Sequence, residues 1–276
     1  MAISATIQAL ISGEQVAGSK LSSKLIDELM AEGLLLVVPH GSRKSYCARD
    51  IEALKRYLID KDESYRMLEV CSFVSRASLA AETGNSKLMT VRSCPGFPIN
   101  SYQSIECQLN NEPFIVNPQE GSFFFVDKWM QFTIPKDIIV VGIENMENFR
   151  MIRYQRRLFE SVLGDSTLLF VSRYPQSTDL RNWLMQISNK YVHFGDFDLA
   201  GLCIYETEFN KYLSNRASFF IPEDIEVRLQ NGSTERYNKQ YDKFKNYKPT
   251  DNRLMILFNL IHKYHRCYDQ EGYIIW

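Results

Sequence analysis

The sequence lacks the features that tie a chain to a membrane, a disulfide framework or a zinc site. Its six cysteines, at 47, 71, 94, 107, 203 and 267, include no C-x-x-C pair, and none stands beside histidine at zinc-ligand spacing. They read as reduced, mostly buried thiols. The longest apolar stretches, such as Ile138 to Ile143, are far too short to span a bilayer. The first residues show no basic-then-apolar leader pattern. A soluble, cytoplasmic chain with no membrane partner is expected. There is no internal repeat and no low-complexity tract. Excess charge of either sign is also missing: 32 Lys and Arg face 33 Asp and Glu, a net charge of −1. That balance neither requires nor excludes a nucleic-acid partner, because binding depends on local patches. What is present is core material. Apolar residues make up 45% and aromatics 13% of 276 residues, which excludes a disordered chain and suffices for two domains.

Residues 1–60 read as helix, helix, hairpin, helix. Ile3, Ile7, Leu10 and Ile11 have helical spacing, and Ser22 or Ser23 can cap a helix with Leu25, Ile26, Leu29 and Met30 on its apolar face. Gly33 sits where a helix C-cap is expected. Leu34–Val38 and Ser45–Ala48 read as two strands joined through Pro39, His40, Gly41 and Ser42, and Asp50 opens a last helix with Ile51, Leu54 and Leu58. The order resembles a winged helix-turn-helix, with a wing at His40, Gly41, Ser42, Arg43 and Lys44. Such a wing either touches DNA phosphates, through Arg43 and Lys44, or belongs to a protein–protein module. Seven basic and seven acidic residues leave both open.

Residues 61–135 read as a connector and edge subdomain. Glu63–Ala81 has helical character, 83–99 is rich in Gly, Ser and Pro, and strands are expected at Phe114–Val116 and Phe123–Val126. Lys87 and Arg92 follow Gly84-Asn85-Ser86, which reads either as a phosphate-reaching loop or as a solvated one.

From 136 onward strand and helix alternate. Strands are expected at 138–143, 168–171, 191–194 and 218–221, with helices at about 147–163, 179–187 and 200–213. This rhythm predicts a mostly parallel sheet with helices on both faces, and such sheets place ligands at the carboxyl ends of their strands. There the first strand ends in Gly142-Ile143-Glu144-Asn145 and the third in Gly195-Asp196-Phe197-Asp198. In Asp-x-Asp an extended backbone sends both carboxylates to one side. Two such carboxylates repel unless a cation neutralises them, and Mg²⁺ (or Mn²⁺) suits oxygen ligands while leaving positions for water and phosphate. A third carboxylate from a neighbouring strand completes a set suited to phosphodiester chemistry. The plain alternative makes Asp196 a helix N-cap and Asp198 a solvated loop residue.

The run V-V-G-I-E-N-M-E-N-F, followed about fifty residues later by H-F-G-D-F-D-L-A-G-L-C-I-Y, resembles the Toprim domain. More narrowly, it resembles the version in the A subunit of topoisomerase VI, its meiotic relatives, and the JetD nuclease subunit of Wadjet plasmid-defence systems. S-R-Y-P-Q-S-T-D-L-R-N-W-L is similar to the Gly-Tyr-Pro stretch with a downstream Arg in those families, and winged helix before Toprim is also their order. The resemblance covers 136–213 well and 1–60 in outline. It implies an α/β chain: a winged helix-turn-helix at 1–60, the connector at 61–135, and a Toprim-like catalytic domain at 136–276 with basic C-terminal helices. It implies Glu144 as general acid/base or metal ligand, Asp196 and Asp198 as Mg²⁺ ligands, and Arg181 either at a phosphate or in a surface ion pair. Glu147 is a weaker metal candidate that equally suits a helix N-terminus, and Glu271, in D-Q-E-G-Y, is another.

The topoisomerase-like members use a winged-helix tyrosine in an Arg-Asp-x-Tyr-Tyr context. Tyr46 and Tyr57 lack that context and read as packing residues. Metal-directed hydrolysis of double-stranded DNA is therefore expected over a covalent tyrosine link. Arg150, Arg153 and Arg157, spaced i, i+3, i+7, would form one helix face, either toward the substrate or as a solvated side. The segment 235–266 interleaves Lys239, Lys243, Lys245 and other basic residues with Tyr237, Tyr241, Tyr247 and Tyr264, which suits backbone contact plus stacking. The resemblance also implies a defence complex with an SMC-type ATPase, and a homodimer would supply two centres for two strands. The alternatives are a topoisomerase-like transesterase and a non-catalytic winged-helix DNA-binding or adaptor module.

Overall fold

Ser22 and Asp50 carry the short acceptors that helix-start N–H groups need. In the computed structural model Ser22 accepts from the Leu25 N–H at 3.3 Å, and Asp50 accepts from the Glu52 and Ala53 N–H groups at 2.9 and 3.0 Å. The structure describes residues 5–40, 43–62, 65, 77, 80–81 and 94–274. The chain divides into two compact units, 1–93 and 94–276.

The first unit runs α1 (Ala5–Ile11), β1 (Val16–Ala17), α2 (Ser23–Ala31), β2 (Leu35–His40), β3 (Arg43–Ala48) and α3 (Ile51–Lys61). Its three strands order β1-β3-β2, all antiparallel. Leu10, Leu29, Leu35, Leu54 and Leu58 form its core with Ile7, Val16 and Tyr46. Gly33, at φ +67°, ends α2 as expected. Lys44 is exposed, while the side chain of Arg43 and residues Gly41 and Ser42 lie outside the described part. Ile3, Lys87, Arg92 and most of the expected helix at 63–81 lie outside it as well.

In the second unit the strands are β4 (Phe97–Ser101), β5 (Ile105–Leu109), β6 (Glu112–Val116), β7 (Phe124–Val126), β8 (Phe132–Thr133), β9 (Ile139–Ile143), β10 (Leu168–Ser172), β11 (Tyr191–Phe194) and β12 (Ala217–Phe219). The helices are α4 (Met146–Arg150), α5 (Arg156–Leu163), α6 (Ser177–Gln186), α7 (Leu199–Ile204), α8 (Lys211–Leu213), α9 (Ile225–Gln230), α10 (Thr234–Phe244) and α11 (Met255–Tyr264). A π-helical turn, Tyr205–Asn210, joins α7 to α8.

The main sheet has six strands in the order β12-β11-β9-β10-β4-β7. The pairs from β12 to β10 are parallel, and β4 and β7 add antiparallel edges. A second sheet orders β6-β5-β8. The compact unit thus starts at Cys94, well before 136, because strands from the expected connector pair onto the parallel sheet. Val140, Val141 and Ile143 are buried, and both faces of the sheet are covered. On one face Phe159 of α5 packs on Phe170 and Phe194 at 5.2 and 5.3 Å between ring centroids. On the other Tyr191 meets Phe209 of the π turn at 4.9 Å. Each such buried aromatic contributes roughly 1.5–3 kcal/mol.

The expected helix at 147–163 is broken. Met151 leaves helical geometry (φ −101°, ψ 24°), and a 3₁₀ turn at Ile152–Gln155 separates α4 from α5. The cause is a buried amide pair. Gln155 donates to the carbonyls of Asn148 and Met151 at 2.8 and 3.1 Å, and Asn148 donates back to the Gln155 side chain at 2.8 Å. Arg150, Arg153 and Arg157 therefore do not line one continuous helix face, although all three are exposed. No described helix is long and apolar enough to cross a membrane.

Candidate active site

Parallel pairing sets β9 and β11 side by side, Gly142 opposite His193 and Ile143 opposite Phe194. The residues that follow, Glu144 and Asp196, therefore leave neighbouring strands at their carboxyl ends. The C-terminal segment closes the group from outside. Tyr268 bridges antiparallel to Phe197, and the Gln270 N–H donates to Asp196 Oδ1 at 3.0 Å. The Gln270 side-chain oxygen accepts from the Asn145 N–H at 3.3 Å, and the Asn145 amide hydrogen-bonds Glu271. The structure thus brings Glu144, Asp196, Asp198 and Glu271 into one neighbourhood.

Every carboxylate oxygen of Asp196 and Asp198 accepts from a protein donor. Asp198, 1% exposed, caps α7 by accepting from the Gly201 N–H at 2.7 Å, so the cap is the second aspartate and not the first. Its other oxygen accepts from Arg236 Nε at 3.1 Å and from Gln240 at 2.7 Å. Asp196 Oδ2 accepts from Arg236 Nη2 at 2.6 Å, and Arg236 Nη1 pairs with Asp269 at 2.5 Å. One guanidinium thus holds three carboxylates. Burial pushes the Asp196 carboxyl up to about 6, against the Gln270 N–H and Arg236, with Asp198 and Asp269 adding to the rise. Burial works against the charge on Arg236, but Asp196, Asp198 and Asp269 overcome it and raise its affinity for its proton.

The Glu144 side is built differently. His193 is buried, with Nδ1 at 3.0 Å from the Tyr191 hydroxyl and Nε2 at 3.5 Å from Glu144 Oε2. Tyr191 lies across β9 where a Cβ on Gly142 would fall 2.1 Å from its hydroxyl. At Gly195 a Cβ would fall 2.7 Å from Glu144 Oε2 and 2.9 Å from His193 Nε2, so a side chain there would displace one of them. Arg173, just past β10, stands between two acids, with Nη1 at 3.8 Å from Glu144 and 3.7 Å from Glu208 of the π turn. Both distances are too long for hydrogen bonds. Glu144 Oε2, His193 Nε2, Arg173 Nη1 and Glu208 Oε2 are all buried without a hydrogen-bond partner, as is Glu271 Oε2. Burial opposes ionisation of Glu144, but His193, Arg173 and Arg236 outweigh it and hold its carboxyl below the usual range.

Donor chemistry at this centre suits Mg²⁺ or Mn²⁺, but the geometry of the Asp pair does not. All four of its oxygens accept from protein groups. Among the described residues no group of three or more His, Cys, Asp or Glu side chains is arranged to hold a metal ion. In this arrangement Arg236 stands on Oδ2 of both aspartates, where a cation would have to bind.

The other expected residues fall as follows. Glu147 is exposed in the first turn of α4, and among the described residues no hydrogen bond or ion pair ties its carboxylate to Glu144, Asp196 or Asp198. Arg181 stacks on the Tyr212 ring at 4.7 Å, and the arginine that faces Glu144 is Arg173. Arg153 donates to the Pro118 carbonyl at 3.2 Å. Lys239 pairs with Glu235 and Lys245 with Asp242, while Lys243 lies over the Phe244 ring. Of the four tyrosines read as a stacking surface, Tyr237 is buried, Tyr247 bonds Glu206, Tyr264 bonds Glu226, and Tyr241 is exposed. Sequence reasoning missed Arg173, His193, Glu208 and Gln270 as site residues. Two signals were there: Arg173 opens the R-Y-P stretch and His193 opens H-F-G-D.

The chain matches no protein-family model and no curated protein.

Proposed function

We propose that this chain is a DNA endonuclease of the Toprim type that requires Mg²⁺ (or Mn²⁺) and hydrolyses phosphodiesters at Glu144, Asp196 and Asp198. The observation that carries the reading is the placement of Glu144 and Asp196 at the carboxyl ends of adjacent parallel strands, stitched together by Gln270. Buried groups of both signs beside Glu144, ion-paired at 3.5 to 3.8 Å but without hydrogen bonds, support it, because such atoms are costly unless a ligand or water completes them. In this reading Glu144, held ionised, takes a proton from water while that water's oxygen bonds to phosphorus. The P–O bond to the departing strand breaks, and the departing oxygen takes a proton from solvent. Arg173 offers N–H donors to the phosphate.

The helix–strand–helix–hairpin order of residues 5–61 and the exposed Lys44 support the winged helix-turn-helix as the part that positions the duplex. A topoisomerase-like transesterase has less in its favour. Tyr46 is buried, and the Tyr57 hydroxyl donates to Glu28 at 2.7 Å, a bond that with partial burial pushes its pKa up to about 12. The defence-complex setting, the SMC-type ATPase partner and the homodimer rest on the resemblance alone.

One observation favours a second reading, a binding or adaptor module: Arg236 already neutralises the Asp pair. Supercoiled plasmid incubated with the chain and Mg²⁺ or Mn²⁺, beside Glu144→Gln, separates the two. Nicked or linear product from the wild type alone supports the nuclease. Product from both proteins, or from neither while DNA binding persists in both, favours the module.

A further inference from the structure

We infer that Arg236 is an internal counter-ion that keeps divalent metal out of the Asp pair, and that a phosphodiester backbone draws it away. The inference rests on the nuclease reading for its purpose and on geometry for its content. Arg236 spends three nitrogens on three carboxylates: Nη2 on Asp196, Nε on Asp198 and Nη1 on Asp269. The remaining oxygens of the pair are held by the backbone N–H groups of Gln270 and Gly201, and Gln240 adds a second donor to Asp198 Oδ2. Arg236 stands on Oδ2 of both aspartates, so a cation there meets a fixed positive charge, and metal affinity is the intrinsic affinity reduced by the cost of moving Arg236.

Arg236 is placed to move. Its side chain is 35% exposed. It starts a stripe on α10 in which Lys239 and Lys243 follow at i+3 and i+7, on the same helix face, and Lys239 is 72% exposed. A duplex backbone that follows this stripe brings phosphate oxygens to Arg236, and guanidinium binds phosphate through the same paired N–H geometry it uses on carboxylate. As the guanidinium transfers to phosphate, Asp196 Oδ2 and Asp198 Oδ2 lose their Arg236 contacts. Binding of metal and of DNA would then be positively coupled, each tightening the other by the same factor.

The test is Mn²⁺ binding, read as loss of the free-ion EPR signal, with and without a short duplex. It is run on the wild type, Arg236→Gln, Asp269→Asn and Arg236→Gln/Asp196→Ala, with folding checked by circular dichroism. The expected result is weak binding by the wild type that tightens at least tenfold with the duplex. Arg236→Gln binds at least tenfold tighter without DNA and gains little from it, and the double variant loses the gain. Asp269→Asn keeps Arg236 but removes its outer anchor, so it falls between wild type and Arg236→Gln; if Arg236→Gln does not fold, this variant decides. Unchanged Mn²⁺ affinity in folded Arg236→Gln, or in Asp269→Asn where the first does not fold, overturns the inference. An equal gain in the double variant overturns it too, because the metal is then bound elsewhere. Tight binding by Arg236→Gln with no plasmid cleavage by any protein leaves the latch standing and removes the nuclease reading instead.

Discussion

Two halves of one site, side by side at the ends of β9 and β11, have been finished to different degrees. Around Asp196 and Asp198 every carboxylate oxygen has a donor, and a single arginine neutralises three acids. Around Glu144, four buried polar atoms from Glu144, His193, Arg173 and Glu208 have none. The first half also carries structure: it caps a helix and ties α10 and the C-terminal segment to the sheet. The second half is held only by looser ion pairs, at 3.5 to 3.8 Å. A folded chain pays for unsatisfied buried groups in stability, so they persist where they serve a ligand or a reaction.

The contrast can be broken from the closed side first. Asp198→Ala strips an N-cap acceptor and one arm of the buried guanidinium network, and is expected to destabilise the chain by about 3–5 kcal/mol in urea unfolding. Glu144→Gln, in the open half, is expected to change stability by less than about 1 kcal/mol while removing cleavage. Equal losses would erase the distinction. The next effect is on pH. The Asp196 carboxyl sits at about 6 in the fold against an ordinary 3.8, so between these values the folded state holds a proton that the unfolded state has released. Stability from this group therefore falls as pH rises from about 4 to about 6, by on the order of 1–3 kcal/mol. Asp196→Asn is expected to flatten that slope in urea melts across the range.

On the open side, Gly195→Ala puts a methyl group against Glu144 Oε2 and His193 Nε2. A stability loss of about 1–2 kcal/mol is expected with at least tenfold slower cleavage. Tyr191→Phe removes the hydroxyl at His193 Nδ1, expected at about 1 kcal/mol by thermal melting. The smallest effect comes from Lys239→Ala at the exposed edge. No change in melting temperature is expected, and the salt dependence of DNA binding weakens by about one phosphate contact. An unchanged salt slope would take Lys239 off the DNA path.

The parallel sheet was legible because its strands are buried on both faces and read as short branched runs; Tyr191–Phe194 was placed to the residue. Glu144 and Asp196 were legible because strand ends are where parallel sheets put their chemistry. The closed state of the Asp pair was not. Arg236 lies about forty residues after the motif, and only the return of the C-terminal segment, through the Phe197–Tyr268 and Ser233–Cys267 bridges, brings α10 over it. In sequence Arg236 is one basic residue among many. Glu208 was hidden by the π turn, which changes the phase of a helix otherwise expected to run from 200 to 213. The break at Met151 was hidden because Asn148 and Gln155 look like surface amides until both are buried. Strand β4 was hidden by Pro98 in a segment that reads as loop.

The most direct test of the account is plasmid cleavage by Arg236→Gln beside Arg236→Gln/Glu144→Gln, with Mn²⁺ in the buffer. Nicked and linear product is expected from the single variant, faster than from wild type, and none from the double variant. Cleavage by both would place the chemistry outside this site. No cleavage by the single variant, with Mn²⁺ and duplex both bound, would contradict the claim that opening the Asp pair completes a nuclease.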